Sequence, residues 1–538
     1  MKSYSKVALF SYINLNALPF LKSFYFYKKE TPYFLKIKPI QIALFMIFLL
    51  GGLFGLMFLS QEGVIQNNRA PEDGFAVEGV SVKYPTYKTF LQLEKDTSVT
   101  RNDIVKVTKT VQPIEEEPED DLEIVSETPS KKDSLQRPDF SKIDTTQIVR
   151  IRYPDSNPDF VAELQEKLSS RNCRIIHYGD SQLEGDRITA YLRNRLQRMY
   201  GGSGPGFIPL LPVYRQISAN IEPSKNWKRY AFFDPTQKKE EHKKYGLYLT
   251  YSRFTEYYGE TIDSTLLDSL PVVKASVIIG KSNKSYAKLR KFSNIGLHYG
   301  NAQHPVKISV YDNEKLIKQD SLISDGNYHE YKIRTASTPD NLRIQFEGKI
   351  SADFYGLTLD GISGIKMDNV AMRGASGTIF ARTKALTYSR MANALDPKIM
   401  ILQYGGNTVP YLKDSTEVDN YAKYIKGQIN WIRRRTKDVS FIFIGPTDMC
   451  IPINGKMQTY PLLPYLNKKL METSLENNVA YWSMYDAMGG MGSMQYWVDE
   501  KLAAGDYTHF TWSGTKIISE LFFTALYLDL KKEEEHEL

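Results

Sequence analysis

The apolar run Ile175-Ile176-His177-Tyr178 stops at Gly179-Asp180-Ser181, and a helical pattern over Arg187-Ile188-Thr189-Ala190-Tyr191-Leu192-Arg193 follows at once. This stretch constrains the fold more than any other. A serine just past a strand, on a tight turn that opens a helix, is where an α/β sheet presents a nucleophile. Gly179 is expected to let the chain turn sharply. The amides opening the helix are expected to point partial positive charge at an anion formed there.

The C-terminal part of the chain repeats the strand-then-helix theme. Strands are predicted at Lys366–Met372, Ile399–Tyr404, Val439–Ile444 and Val479–Ser483. Helices are predicted at Asp159–Ser169, Arg187–Tyr200, Ile379–Leu395, Val418–Arg435, Tyr465–Asn477 and Ser513 to about Leu530. Apolar strands alternating with amphipathic helices specify a doubly wound, mostly parallel sheet of flavodoxin-like type. Residues at the carboxyl ends of such strands meet in one crevice.

Between about Ile221 and Gly364 the texture changes. Short strand-like pieces (Leu247–Thr250, Val272–Ile279, Val306–Tyr311, Tyr331–Ile333, Asn341–Phe346) are separated by turn residues such as Ser324-Asp325-Gly326-Asn327. This reads as an all-β sandwich inserted in the α/β chain. Its aromatics (Trp227, Tyr230, Phe232, Phe233, Phe254, Tyr257, Tyr258) are of a kind that stacks on sugars, although the core claims most such residues. The loop Gly201-Gly202-Ser203-Gly204-Pro205-Gly206 is too rich in glycine for a regular element. No Lys-Ser/Thr follows it, so it is not a phosphate-cradling loop.

The N-terminal region is organised differently. Lys22, Lys28, Lys29, Lys36 and Lys38 precede an uncharged apolar run from Pro39 to Leu59, and Glu62 follows. About 20 apolar residues suffice for a helix to cross a bilayer. The lysine bias then keeps the N-terminus in the cytoplasm and exports the rest, with an uncleaved anchor fitting better than a signal peptide. Residues 60–145, with Glu115-Glu116-Glu117-Pro118-Glu119-Asp120-Asp121, read as a charged stalk. The expected organisation is therefore a cytoplasmic segment (1–38), a transmembrane helix (39–59), the stalk (60–145), a first part of the α/β domain (146–220), the sandwich (221–364) and a second part (365–538). With 538 residues, more than one domain is expected in any case.

The net charge of +7, from 69 basic and 62 acidic side chains, is small for this length and makes no case for nucleic acid. The 2 cysteines, Cys173 and Cys450, have neither metal-ligand spacing nor a disulfide framework.

The predicted strand ends carry Asp180-Ser181, Gly374, Gly405-Gly406-Asn407 and the late Asp506–His509 loop. A serine needs an adjacent base, and His509 suits that role. Asp506, three residues earlier, is placed to hold the imidazole tautomer. The amides of Ser181 and Gly374 and the Asn407 side chain are candidate oxyanion donors. Gly-Asp-Ser, then Asn369-x4-Gly374, Gly405-x-Asn407 and Asp506-x-x-His509, in this order, resembles the SGNH, or GDSL-type, hydrolases. The resemblance covers about residues 172–530. Within that superfamily it is nearest to extracytoplasmic peptidoglycan O-acetylesterases, in which a carbohydrate-binding-like sandwich is inserted after the nucleophile motif. Gln182 stands where the superfamily commonly has leucine, with Leu183 one place later, and Thr408 stands where aspartate often follows the asparagine.

The resemblance implies a membrane-anchored serine esterase with its catalytic domain outside the cytoplasmic membrane, in the periplasm or cell envelope. Ser181, His509 and Asp506 would be catalytic, and Ser181, Gly374 and Asn407 would form the oxyanion hole. The substrate would be an acetylated polysaccharide, best peptidoglycan, and no metal or organic cofactor is needed. An O-acetyltransferase served by a membrane acetyl donor keeps the same site. A non-catalytic envelope-binding protein is the alternative of another class. His177 reads as structural, and Arg187, Arg215 and Arg373 as surface cations within reach of an anionic substrate.

Overall fold

In a computed structural model, residues 143–256 and 264–537 are described continuously. Before them come only short pieces, among them 74–77 and 80–83, helical positions within 40–52, and a few positions between 108 and 140. The expected cytoplasmic segment and most of the expected anchor and stalk lie outside the described residues. No helix among those described is long and apolar enough to cross a membrane. The chain divides into two compact units, 1–92 and 93–538. In the first, Gly74–Val77 pairs antiparallel with Val80–Lys83.

The second unit is built on a five-stranded, all-parallel sheet. Its strands are β1 (Asn172–Gly179), β2 (Gly364–Ala371), β3 (Pro397–Gln403), β4 (Ser440–Ile444) and β5 (Ala480–Trp482), in the spatial order 2-1-3-4-5. Side chains alternate between two faces, as strand geometry requires. Cys173, Ile175, Ile399, Ile401, Ile442 and Ile444 pack against α1 (Phe160–Ser169), α2 (Arg187–Tyr200) and α6 (Trp512–Glu537). Ile176, Tyr178, Met400, Leu402, Phe441 and Phe443 pack against α3 (Ala385–Leu395), α4 (Ser415–Arg433) and α5 (Leu463–Leu475). With both faces covered, each strand is a nearly unbroken apolar run. Each fully buried aliphatic side chain contributes about 1.5–3 kcal/mol. Beyond β5 the sheet edge is closed by Arg152, which exchanges both backbone hydrogen bonds with Tyr481 at 2.8 Å.

The sandwich consists of two antiparallel sheets. One is ordered 315–321, 307–312, 342–348, 273–281, 219–223. The other is ordered 329–334, 294–300, 353–360, 250–253, 228–231. Its core is separate and centred on Val277, Ile308, Ile344, Phe346, Phe354 and Leu357.

Several expectations need correction. The sandwich strands begin before residue 221, because Gly206–Ile208 already pairs with the strand Asp353–Asp360. The strand expected at Lys366–Met372 runs from Gly364 to Ala371 in the parallel sheet, two residues earlier at its start. The helix expected from Ile379 starts only at Ala385, after a short 3-10 turn over Phe380–Arg382. The packed unit also reaches back into the expected stalk: Val111 is buried in the α/β core, and Phe140 sits edge-on to Tyr527 at 5.1 Å. Cys173 and Cys450 are buried and form no disulfide.

A buried polar seam joins the sandwich to the sheet. Asp368 on β2 accepts from Arg174 Nη1 on β1 at 2.6 Å, from the Phe207 amide at 3.1 Å and from the Tyr248 hydroxyl at 2.9 Å. Arg174 also pairs with Asp360 at the end of a sandwich strand. The glycine loop lies along this seam. Gly206 has φ +70°, and a Cβ there would stand 2.2 Å from the Met367 carbonyl oxygen, so the close approach requires glycine.

Removing Arg174 would strand two buried carboxyls. Arg174→Leu is expected to lower the unfolding free energy by about 3–5 kcal/mol. Lys281→Ala, which breaks the exposed Lys281–Asp340 pair, should cost under about 1 kcal/mol. Denaturant melts of the two variants check the contrast.

Candidate active site

Parallel register levels three strand ends. Gly179 of β1 lies opposite Ala371 of β2 on one side and Gln403 of β3 on the other. The loops carrying Ser181, Gly374 and Asn407 therefore leave the sheet at one height. The chain order reverses at β1, which makes this a topological switch point.

The turn after β1 differs from the expected one. Ser181 opens a 3-10 segment, Ser181–Asp186, broken by extended Glu184 and by Gly185 at φ +72°, and α2 starts only at Arg187. The cap is Asp180, whose Oδ1 accepts from the Gln182 amide at 3.0 Å. Gly179 is not a turn residue by its φ. It is needed for space, since a Cβ would lie 2.7 Å from Leu183 Cδ1 and 3.2 Å from the Gln403 carbonyl oxygen.

Ser181 Oγ meets His509 Nε2 at 2.7 Å, across 328 residues of sequence. His509 Nδ1 meets Asp506 Oδ2 at 2.8 Å. The other Asp506 oxygen accepts the amides of Thr508 and His509, each at 3.0 Å. One carboxylate thus fixes both the ring and the turn that carries it. That turn is pinned at its base, where the Ala504 amide donates to the His509 carbonyl at 2.7 Å, and Phe510 packs on Trp497 at 5.1 Å. It is tied to the serine loop by Gln182 Nε2 donating to the Thr508 carbonyl at 2.7 Å and by Arg187 donating to the Phe510 carbonyl at 2.9 Å. Partial burial works to raise the Asp506 carboxyl, but the hydrogen bonds from the His509 ring and the two amides outweigh it and hold it below its ordinary value.

Asn407 comes to the same hollow, but its amide is committed. Nδ2 donates to Asp180 Oδ2 at 3.1 Å and to the Ala375 carbonyl at 3.2 Å. Those two bonds use both of its N–H groups. Asp180 was not singled out by sequence as more than part of the motif. Burial pushes its carboxyl up to about 6 against the opposing effects of the Gln182 amide and His509. Gly374, at φ +75°, lines the adjoining hollow rather than the one holding Ser181. Asn369, the start of the second motif, is a buried support. Its Nδ2 donates to the Leu183 carbonyl and its oxygen accepts from Thr189. His177 is fully buried between Thr189 Oγ1 at 3.0 Å and Gln403 at 3.2 Å. Burial lowers its value to about 3, which keeps the ring neutral.

The hollow beside Ser181 encloses about 240 Å³. Three buried polar atoms on its wall have no hydrogen-bond partner: Gln182 Oε1, Gln403 Nε2 and Tyr404 Oη. Buried polar groups are nearly always satisfied, so their grouping marks a place for a polar guest or water. Among the described residues no group of three or more His, Cys, Asp or Glu stands close enough to hold a metal ion.

No protein-family model and no curated protein matches the chain. Solved structures do. A peptidoglycan O-acetylesterase superposes with a TM-score of 0.55 at 18% identity, over 71% of this chain and 99% of its own. A GDSL-like lipase from Bacteroides ovatus (TM-score 0.23, 12% identity, 58% and 98%) also matches, as does a carbohydrate esterase family 2 enzyme with a carbohydrate-binding domain from Corynascus thermopiles (TM-score 0.25, 11% identity, 51% and 99%). The parallel sheet with its sandwich is an SGNH/GDSL hydrolase fold.

Asp180 also yields a pH prediction. Its folded value, about 6, lies above the ordinary 3.8. Folding therefore takes up a proton between about pH 4 and 6, and the stability this group contributes is present at low pH and lost as pH rises through 6. Asp180→Asn cannot titrate, so the stability of the native protein relative to this variant should fall from pH 4.5 to pH 7. Melts at the two pH values measure it, and a difference that grows with pH would refute it.

Proposed function

We propose that the protein is a serine O-acetylesterase acting on a cell-envelope polysaccharide, with peptidoglycan as its substrate. The observation that carries this reading is the unbroken Ser181–His509–Asp506 hydrogen-bond chain, set at a strand-end crevice. Ser181 Oγ attacks the acetyl carbonyl carbon while His509 Nε2 takes its proton. Asp506 holds the Nδ1 proton and stabilises the imidazolium. His509 then protonates the departing sugar oxygen. A water, deprotonated by His509, attacks the acetyl-enzyme and releases acetate and Ser181. The Ser181 amide holds the oxyanion, while Gly374, expected to share this role, lies in the adjoining hollow. Asn407 joins the Ser181 amide by exchanging one of its two present acceptors for the oxyanion.

Several observations support the choice of substrate. The superposed neighbour at TM-score 0.55 is itself a peptidoglycan O-acetylesterase. Exposed aromatics ring the site: Tyr411 on the wall of the Ser181 hollow, Tyr214 on the adjoining one, and Trp512 beside Gly185. Solvent-facing rings of this kind offer sugar faces a platform. The apolar run Pro39–Leu59 supports tethering to the cytoplasmic membrane with the site outside.

The test is acetate release from an aryl acetate and from O-acetylated peptidoglycan. Ser181→Ala and His509→Gln should each lower turnover by about 10⁴-fold or more, and Asn407→Ala by about 10²–10³-fold. Undiminished turnover by Ser181→Ala would refute the esterase reading and leave an envelope-binding protein. Acetyl transfer to added chito-oligosaccharide in place of free acetate would make the protein a transferase.

A further inference from the structure

Beside the Ser181 hollow lies a second one of about 350 Å³, at the seam where the sandwich meets the parallel sheet. Its size is in the range of ligand pockets and accommodates one substituted sugar. Its wall is shared. Arg229 comes from the sandwich strand Lys228–Ala231, Arg373 from the loop after β2, and Glu184 from the serine loop. Phe233 and Tyr214 supply aromatic faces.

The two arginines are underused. Arg229 is half-buried, and among the described residues its guanidinium meets only the Phe233 ring, 5.7 Å away. Asp234 and Glu184 act on it at longer range, and burial works against its charge. Asp234 is engaged instead by the Thr236 amide at 2.9 Å, the Thr236 hydroxyl at 2.7 Å and Gln237 at 3.0 Å. Arg373 lies over Tyr214 at 5.3 Å and reaches Glu184 only at 3.9 Å, too far for a hydrogen bond. A guanidinium carries five donors in a fork that fits a carboxylate. Arg373 is 60% exposed and keeps its water, but Arg229 is half-buried with none of its donors used by the protein, which is costly. The hollow is also close to the proposed chemistry, since Glu184 and Gly185 in its wall belong to the segment that begins at Ser181.

We propose that this hollow is a specificity subsite for a carboxylate-bearing sugar, with Arg229 and Arg373 gripping a carboxylate that lies within one sugar unit of the scissile ester. The proposal rests on the polysaccharide-esterase reading above and deepens it. The Tyr214 and Phe233 rings flank the sugar. Glu184 accepts from a hydroxyl or amide N–H on the same residue. A neutral acetylated glycan would reach Ser181 but leave the half-buried Arg229 guanidinium unanswered, so discrimination comes from that cation as well as from the new bonds.

Binding, rather than turnover, tests this without relying on the esterase chemistry. The full-length Ser181→Ala protein is titrated calorimetrically with a chito-oligosaccharide bearing 3-O-lactyl carboxylates, and with the same oligosaccharide after its carboxylates are converted to primary amides. The carboxylate form should bind about 10–100-fold more tightly, as expected for charge-assisted hydrogen bonds. Adding Arg229→Gln or Arg373→Gln should bring that ratio close to one. Arg229→Lys should keep part of it. The ratio is read within each protein, so a general loss of affinity does not mimic the effect. Equal affinity for the two ligands, no binding of either, or a ratio untouched by both substitutions would overturn the subsite. The esterase reading stands or falls separately, on aryl acetate turnover with Ser181 in place and removed.

Discussion

The site depends first on one alignment: β1 ends level with both of its parallel neighbours. Parallel pairing has a fixed register, and Gly179 faces Ala371 and Gln403. No loop has to bend far to bring Ser181 and Asn407 to one hollow. The fourth contributor, the Asp506–His509 turn, leaves no strand of the sheet. It is held by packing and by three kinds of bond: Asp506 to its own turn amides, Gln182 to the Thr508 carbonyl, and Arg187 to the Phe510 carbonyl. His509 therefore stands at hydrogen-bond distance from Ser181 because the serine loop itself grips the histidine's loop.

The sandwich is joined to this arrangement by buried charge. Asp368, Arg174, Asp360 and the Tyr248 hydroxyl form a buried network between β1, β2 and the insertion. Such a network adds little net stability over an apolar seam, but it makes other placements expensive, since any shift strands a charge in low dielectric. The second hollow opens on this same seam, with Tyr248 and Phe207 in its wall. A fixed seam gives that hollow a fixed shape, and so lets a strand of the insertion and a loop of the sheet contribute to one wall.

Much of this was legible in the sequence. Long apolar strands and the stripes of α1, α2 and α4 to α6 followed from periodicity, and the motifs gave Ser181, Asn407, Asp506 and His509, which come together, whereas Gly374 lines the adjoining hollow. What was missed has physical reasons. Gly206–Ile208 is three residues long and finds its partner about 150 residues away, so no local pattern reports it. The six-residue 3-10 segment after Ser181 breaks at Glu184 and Gly185, where helical spacing alone reads straight through. Arg229 could not be found by pattern, since nothing local distinguishes a cation facing a hollow from one facing water.

The commitment of Asn407 bears on how such a site works. Its two N–H groups are satisfied at rest by the Asp180 carboxyl and the Ala375 carbonyl. In the proposed mechanism an oxyanion has to compete with those acceptors, so Asn407 would help only by the difference between the bond it gives up and the bond it gains. A neutral peptide carbonyl is the weaker acceptor of the two, and giving it up for a full oxyanion is favourable. Giving up an ionised Asp180 exchanges one anion for another. The retained bond to Asp180 then orients the amide, and the exchanged bond to Ala375 supplies the donor. Preorganisation and donation are thereby divided between the two hydrogens of one side chain.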